Sequence, residues 1–243
     1  MEKLTIKKAY DIIYKNLSVF EFRRETMILA IYGAGGLGRE VLELAKIING
    51  RVKRWDVFIF IIDGEPGNDV NGVKVYSYTD AIEKFSGNLE VSMGIGEPAT
   101  RERLFEKLKN DGIDVATLIH PDVYIPKTAS IGKGVTIQYG CFISCNVKIE
   151  DYVYIQPQVN VGHDNILREG CILSGMVNLA GGVSVGRYTY VGLSAAMKEG
   201  VSIGEYSIVG MYSAVYKDIQ DEMIAMGNPA RPMKRNEEHH VFK

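Results

Sequence analysis

The sequence predicts two successive folds, an α/β domain with a Rossmann-like sheet and then a parallel β-helix. A glycine-rich turn between an apolar run and an amphipathic stretch indicates the first, and a six-residue repeat across the second half indicates the β-helix. The composition, 46% hydrophobic and 24% charged over 243 residues, is that of a globular protein with a substantial core. We expect a helical extension over 1–26, the Rossmann-like domain over 27–118, the β-helix over 119–219 and a C-terminal tail over 220–243.

The first 26 residues are basic, and their apolar side chains recur at helical spacing. Ile6, Tyr10, Ile13 and Leu17 would share one face of a helix. We expect this helix to pack on its own domain or on a neighbouring subunit rather than on a membrane surface.

The α/β domain is predicted from a strand, a glycine turn and a helix in immediate succession. Residues 27–32 form a continuous apolar run, which suits a strand buried on both faces of a parallel sheet. Gly33 to Gly38 then satisfies the GxGxxG pattern, and 39–48 is amphipathic. Further strands are expected at 57–62, 89–95 and 115–118, and a helix at 98–110.

The glycine turn predicts a phosphate-binding site, because backbone N–H groups at a helix N-terminus favour anions. Asp63 ends the second strand, where ribose hydroxyls are often bound. NAD is the obvious ligand, but 27–118 is short for two mononucleotide-binding halves and the repeat domain offers no hydride-accepting site. We therefore expect a nucleotide-sugar and no NAD, with a dehydrogenase as a minor alternative.

The β-helix is predicted from two interleaved ladders. Every sixth residue from Ile119 to Val215 is large and apolar, and a smaller residue follows four positions later. One large and one small inward residue per hexad suits a tight coil of short strands. Glycine or a polar residue usually follows the large one, and we expect the chain to turn its corners there.

His163 is the preferred candidate for a general base among four histidines. Three hexads make one coil, so residues 18 apart stack, which places Gly181 above His163 and Cys145 below it. The bare backbone at Gly181 leaves room for a ligand and offers an N–H to an oxyanion. A solvated surface histidine is the alternative, and Cys145 is a weak candidate for a thiol nucleophile or metal ligand.

The other histidines and cysteines are expected to have structural roles. His120 should cap or pack at the entrance to the repeat, while His239 and His240 lie in a charged tail that we expect to be disordered. Cys141 and Cys171 occupy inward small positions. Asn165 occupies such a position too, although it is polar.

Charge and composition argue against several functional classes. A net charge of −2 gives no sign of nucleic-acid binding. Three cysteines without a CxxC motif suggest a reducing compartment, and no apolar run approaches membrane-spanning length. We expect a cytoplasmic protein without a metal and without membrane insertion.

These motifs together resemble the sugar O-/N-acyltransferases of the NeuD/PglD type over about residues 27–233. The resemblance rests on the glycine turn, the uninterrupted hexads, Ile119-His120-Pro121, Gly162-His163-Asp164 and Gly227-Asn228-Pro229-Ala230-Arg231. It implies a left-handed β-helix, acetyl-CoA as co-substrate and a homotrimer with active sites between subunits. By the same matching, His163 is the catalytic base, Asp164 orients it, and the Gly181 amide stabilises the oxyanion.

The resemblance also implies binding residues for both substrates. The nucleotide-sugar is expected at Gly35, Gly36, Leu37, Asp63, Gly64 and Gly96, and acetyl-CoA at Ile172, Gly181, Leu193 and Met211, with Gly227–Arg231 near its adenine end.

Two departures from the family pattern leave the acceptor open. Ile172 stands where members acting on 4-amino sugars have a second histidine that helps to hold the thioester, and Leu37 stands where one branch has a histidine. We predict acetylation of the amino group of a UDP- or GDP-linked amino sugar. The alternatives are O-acetylation of sialic acid or a related sugar, and a non-catalytic trimeric scaffold that binds sugar nucleotides.

Overall fold

A computed structural model of the chain describes residues 26–85 and 87–242. The helix expected over 1–26 lies outside the described residues, apart from Thr26. Within the described ranges, no helix has the length and apolar character needed to cross a membrane.

The first domain is built on a five-stranded parallel sheet in the order β3-β2-β1-β4-β5. Its strands are β1 (Ile28–Tyr32), β2 (Val57–Ile62), β3 (Val75–Ser77), β4 (Leu89–Met93) and β5 (Asp114–Val115), and its helices are α1 (Gly36–Arg51), α2 (Tyr78–Phe85) and α3 (Pro98–Asn110). The central strand β1 is buried along its whole length, as its apolar run predicts. This strand order places the glycine turn after β1 at the carboxyl edge of the sheet, where ligands bind in Rossmann-like domains.

The prediction of a single strand at 115–118 is wrong, because the two ends of this segment belong to different sheets. Asp114–Val115 pairs with β4 and closes the first sheet. Leu118–Ile119 is a separate strand, β6, which pairs with Thr136–Ile137 in the β-helix. Strand β3 and helix α2 were not predicted from the sequence, because they are too short to give a clear period.

The second domain winds through three parallel sheets, which we call faces 1, 2 and 3. Face 1 contains β7 (Ser130–Ile131), β10 (Lys148–Ile149), β13 (Ile166–Leu167), β16 (Ser184–Val185) and β19 (Ser202–Ile203). Face 2 contains β6, β8 (Thr136–Ile137), β11 (Tyr154–Ile155), β14 (Ile172–Leu173), β17 (Tyr190–Val191) and β20 (Ile208–Val209). Face 3 contains β9 (Phe142–Ile143), β12 (Asn160–Val161), β15 (Asn178–Leu179), β18 (Ala196–Met197) and β21 (Ala214–Val215).

The stacking register is 18 residues, as the hexad count predicts. On face 3, for example, Asn160 pairs with Asn178 and Val161 with Leu179. The large residues from Ile137 to Val215 are all buried, and the small residues between them fill the same core. Each coil therefore packs on the next through one continuous apolar ladder.

The corners turn at a different position from the one the sequence suggests. Every sixth residue from Gly134 to Tyr212 has a positive φ, and most of these residues are not glycine. The glycines that directly follow the large residues serve a different purpose. A Cβ at Gly162 would lie 2.7 Å from the Ala180 carbonyl of the next coil. These glycines allow adjacent coils to approach closely, and the turn itself comes two residues later.

The first domain packs against the outer side of face 2. Tyr154 and Ile172 are buried there beside Leu29, Leu42 and other apolar residues of the α/β domain. Arg101 of α3 lies fully buried in this interface, where its guanidinium donates to the carbonyl oxygens of Ile95 (3.0 Å) and Tyr152 (2.8 Å). The two domains are therefore joined by apolar packing and by one buried cation.

The charged tail is ordered up to Phe242, contrary to expectation. Strand β22 (Met223–Met226) extends face 2, and β23 (Arg231–Arg235) pairs with it in antiparallel orientation. The following residues run back to the first domain, where the N–H groups of Val241 and Phe242 donate to the Glu97 carboxylate. These long-range hydrogen bonds order the segment although its sequence has no apolar period.

Candidate functional site

His163 and Asp164 form a hydrogen-bonded pair at the corner between faces 3 and 1. His163 Nδ1 lies 2.7 Å from Asp164 Oδ2, and about half of each side chain is exposed. Asp164 occupies the left-handed corner position, with φ of 58°, and this turns its carboxylate towards the imidazole. With Nδ1 held by a carboxylate, the neutral ring carries its proton there and leaves Nε2 as the acceptor.

Asn146, which the sequence analysis missed, supports the pair from the coil below. Its Nδ2 donates to Asp164 Oδ1 at 2.9 Å. The hydrogen bonds from Asn146 and from His163 lower the pKa of Asp164, so the carboxylate stays ionised at neutral pH. The 18-residue register alone places Asn146 under Asp164, so this partner could have been found from the sequence.

Gly181 lies directly above the imidazole, as predicted. However, the absence of a side chain at Gly181 makes room for the His163 ring. A Cβ at Gly181 would lie 2.5 Å from His163 Nε2 and would also collide with Cε1. The Gly181 N–H donates to none of the described residues. The space expected for a ligand at Gly181 is therefore filled by the His163 ring.

Asn165 explains why a polar residue occupies an inward position at this corner. Its Nδ2 donates to the carbonyl oxygens of Gly162 (2.9 Å) and Ala180 (3.0 Å), and its Oδ1 accepts the Val183 N–H. The side chain is fully buried. These bonds join the corner that carries His163 to the corner that carries Gly181.

The glycine turn presents an open anion site at the start of α1. Gly35 and Gly36 are exposed, and a Cβ at either would meet no close neighbour, so packing does not explain their lack of side chains. The first turn of α1 has no acidic residue and no side-chain cap. Its N-terminal amides are thus available to a phosphate group. Gly38, by contrast, is needed for packing, since a Cβ there would overlap the Gly33 carbonyl oxygen.

Asp63 ends β2 beside this turn, but it is already engaged by neighbouring side chains. Tyr32 Oη donates to its Oδ1 at 2.5 Å, and Lys107 and Arg103 form ion pairs at 3.4 Å. Burial opposes ionisation of Asp63, but the bonds from Tyr32, Lys107 and Arg103 outweigh it and lower its pKa. Gly64 follows with φ of 87°. The two cations, which were not predicted from the sequence, balance the charge of Asp63 at the end of β2.

Gly96 lies on the other side of the glycine turn, beyond the end of β4. A Cβ at Gly96 would lie 3.5 Å from Leu37 and 3.6 Å from Phe242. Gly35, Gly36, Leu37 and Gly96 are thus brought to one edge of the sheet with Asp63 and Gly64, in agreement with their predicted grouping. Phe242 joins this group unexpectedly.

A cleft of about 780 Å³ separates α1 from the corner between faces 2 and 3. Gly36 and Glu40 line one side, and Gln156, Met176 and Leu193 line the other. Met211 stands one coil above Leu193, and both side chains are well exposed. His120 also lines the cleft, and its Nδ1 accepts the Asp122 N–H at 3.3 Å, which agrees with its expected capping role.

Ile172 does not join the predicted donor residues. It is 1% exposed and packs into the core between the domains, so its side chain has no surface left for a ligand. Cys141 and Cys171 are buried as expected, whereas Cys145 is exposed. The described residues hold no cluster of His, Cys, Asp or Glu suited to a metal ion.

The predicted site is split between two corners of the same chain. His163 lies at the corner of faces 3 and 1, whereas the cleft, Leu193 and Met211 lie at the corner of faces 2 and 3. One width of face 3 separates them, about five residues or roughly 16 Å. One chain by itself therefore does not bring its glycine turn to its own histidine.

Comparisons with known proteins agree with this architecture. The model of the PglD N-terminal domain matches residues 28–108. GDP-perosamine N-acetyltransferase of Escherichia coli O157:H7 is 28% identical over 224 residues, covering 86% of this chain and 97% of that protein.

Two solved structures resemble most of the chain. The acetyltransferase domain of PglB from Neisseria gonorrhoeae FA1090, solved with acetyl coenzyme A, has a TM-score of 0.79 and 27% identity, covering 86% of this chain and 100% of that one. A variant of perosamine N-acetyltransferase from Caulobacter crescentus, solved with CoA and GDP-perosamine, has a TM-score of 0.77 and 28% identity, covering 85% and 96%.

These similarities confirm the predicted fold class, a Rossmann-like domain followed by a left-handed β-helix. They extend over both domains and include the histidine-bearing coils and the glycine turn. Over both domains the chain is therefore similar to the sugar acetyltransferases of the NeuD/PglD type.

Proposed function

We propose that the protein transfers an acetyl group from acetyl-CoA to the amino group of a nucleotide-linked amino sugar, with His163 as general base. The observation that carries this proposal is the hydrogen bond between His163 and Asp164 directly below Gly181, whose N–H donates to none of the described residues. A GDP-linked 4-amino sugar is the first acceptor to test, because two relatives are named for perosamine. A UDP-linked sugar is the second.

The chemistry follows from the positions of three groups. His163 Nε2 takes a proton from the acceptor nitrogen as that nitrogen attacks the thioester carbon, while Asp164 stabilises the resulting imidazolium. The Gly181 N–H donates to the oxygen that becomes negatively charged. The C–N bond forms, the C–S bond breaks, and the sulfur of CoA leaves with the proton from His163.

The glycine turn supports the choice of a nucleotide-sugar as acceptor. The amides at the start of α1 would bind the diphosphate, with Lys107 and Arg103 adding positive charge. For the donor, Leu193 and Met211 offer exposed apolar surface to the pantetheine arm, and Arg231, Lys234 and Arg235 offer positive charge near the C-terminal hairpin.

A homotrimer would bring the two half-sites together. Face 3 connects the two corners, so a closed three-fold assembly around this face would place His163 of one chain beside the cleft of the next. Exposed apolar residues, Phe142, Met176, Leu193, Met211 and Tyr212, lie on face 3 and its cleft-side corner. The outer side of face 1 carries mainly Ser and Lys instead. We therefore place the subunit contact on face 3.

The experiment that tests this function is thiol release from acetyl-CoA, followed with separate acceptors. GDP-perosamine and a UDP-linked 4-amino sugar should release thiol, and mass spectrometry should find the acetyl group on nitrogen. Release with sialic acid alone would favour O-acetylation instead. Failure with every acceptor, together with binding of nucleotide-sugars, would favour a non-catalytic sensor.

A further inference from the structure

The last residues of the chain form a strap that crosses from the β-helix to the first domain. We define the C-terminal strap as residues 236–242. Its start is fixed by Asn236, whose N–H donates to the Glu222 carbonyl oxygen and whose Nδ2 donates to the Tyr206 carbonyl oxygen, both at 2.8 Å. The His239 ring then stacks on Tyr206 with 4.4 Å between centroids.

Glu97 anchors the far end of the strap. Its carboxylate accepts the N–H groups of Val241 and Phe242, with the shortest contact to each at 3.0 Å. The Glu97 side chain is only 14% exposed and directly follows Gly96. The end of the strap is thereby held beside the carboxyl end of β4, at the predicted acceptor site.

The hydrogen bonds to Glu97 fix the position of Phe242. Its ring approaches Gly96, and its edge meets Tyr190 of face 2 at 5.5 Å between centroids. Leu37 flanks the same glycine. About half of Phe242 is still exposed, so an aromatic surface stands free beside Gly96 and Leu37.

We propose that the C-terminal strap is a wall of the acceptor site and that Phe242 determines specificity by packing against the nucleotide-sugar. This inference rests on the proposed function, because it assumes that the acceptor binds at the glycine turn. A free aromatic face suits a flat or apolar surface, which the base or the deoxy face of a sugar could supply.

The test compares Phe242→Ala with wild type by calorimetric titration of GDP and of GDP-perosamine. We expect binding of GDP-perosamine to weaken by roughly 5–10-fold, while acetyl-CoA binds as before. Equal weakening for GDP would place the ring on the nucleotide, and weakening confined to GDP-perosamine would place it on the sugar. Unchanged affinity for both ligands would overturn the proposal.

Two further variants test whether the loss of affinity is specific to Phe242 and to its position. Met233→Ala removes an exposed apolar side chain from the same C-terminal region and should change neither affinity. Glu97→Gln weakens the anchor and leaves Phe242 in the chain, so it should weaken acceptor binding in the same direction. Wild type that binds neither GDP- nor UDP-linked ligands would refute the proposed function, whereas equal binding by wild type and both strap variants would refute the strap inference alone.

Discussion

His163 and Asp164 provide the proposed general base at one corner of the β-helix. Replacing His163 with Ala removes the proton acceptor, so turnover should fall by roughly 10²–10⁴-fold while the far-UV spectrum stays unchanged. His120→Ala should lose far less, because His120 accepts a hydrogen bond from its own turn. Equal losses of turnover from both variants in the thiol-release assay would contradict the assignment of His163 as the base.

Gly181 gives a second prediction for this corner, because its missing side chain makes room for the imidazole. Gly181→Ala should push the ring away from its present position and lower turnover while leaving the acceptor affinity unchanged. Gly200 lies at the same corner, one coil above Gly182; it faces open space at its Cβ position and has φ of 73°. Gly200→Ala is therefore a control that adds only backbone strain. Full turnover in Gly181→Ala would contradict the packing of ring on glycine.

The three thiols should differ sharply in reactivity. Burial raises the pKa of Cys141 to about 11 and raises that of Cys171 further, whereas Cys145 is exposed. A chromogenic disulfide should therefore titrate one thiol in the native protein and three in denaturant. Since a raised pKa keeps a thiol protonated, no second thiol should react between pH 7 and 9. Cys145→Ser should abolish the native reaction and keep turnover, and loss of turnover would revive the thiol-nucleophile alternative.

The paired corners around Asn165 act as one element, because a single side chain bonds to both. Asn165→Ala would leave the Gly162 and Ala180 carbonyl oxygens and the Val183 N–H without their partner, so the free energy of unfolding should fall by roughly 2–3 kcal/mol. Turnover should fall as well, since Gly181 would lose its fixed position over His163. Val147→Ala, one coil below in the same ladder, should also lower stability, but turnover should stay near wild type. Chemical denaturation and kinetics of the two variants separate these effects.

The contact between domains depends on a buried cation that has no carboxylate partner within residues 26–85 and 87–242. Burial lowers the pKa of Arg101 to about 10, so the guanidinium remains charged at neutral pH while it holds the Ile95 and Tyr152 carbonyl oxygens. Arg101→Met should free the loop that carries Gly96 and raise the acceptor KM, with little change for acetyl-CoA. Lys109→Met changes an exposed residue of the same helix and should leave both KM values unchanged. Equal effects on both substrates would argue against a local role at Gly96.

For the whole molecule, the separation of the half-sites predicts a trimer whose subunits complete one another. Light scattering should give about 81 kDa, three times the 27.0 kDa chain. His163→Ala and Gly36→Asp should each be inactive alone, the second because its carboxylate repels phosphate. When the two variants are refolded together in equal amounts, about a quarter of the sites should be active. Such a site combines an intact glycine turn from one subunit with an intact His163 from its neighbour, and each is present in half of the chains. No recovery would place both half-sites in one chain.

The sequence predicts this architecture well wherever a period extends over many residues. The hexads stack Gly181 on His163 and Asp164 on Asn146, because a register of 18 leaves no freedom in which residues meet. The C-terminal strap has no period, and its order depends on Glu97, a residue far away along the chain. The prediction of a strand at 115–118 failed because it also depends on distant contacts. The apolar pattern of this segment is the same whichever sheet it joins. Ile172 was matched by position in the family, whereas its burial depends on how the first domain packs.

The fixed register of the coils also restricts how this protein can change length during evolution. Removing 18 residues from the β-helix would delete one layer and return every later residue to its own face. Removing six would rotate the rest of the chain by one face, so Leu193 and Met211 would leave the corner that borders the cleft. Removing one residue would turn the inward ladder outward. Descendants of this gene should therefore gain or lose whole coils, or carry short insertions only at the corners, where an extra loop leaves the strands in phase.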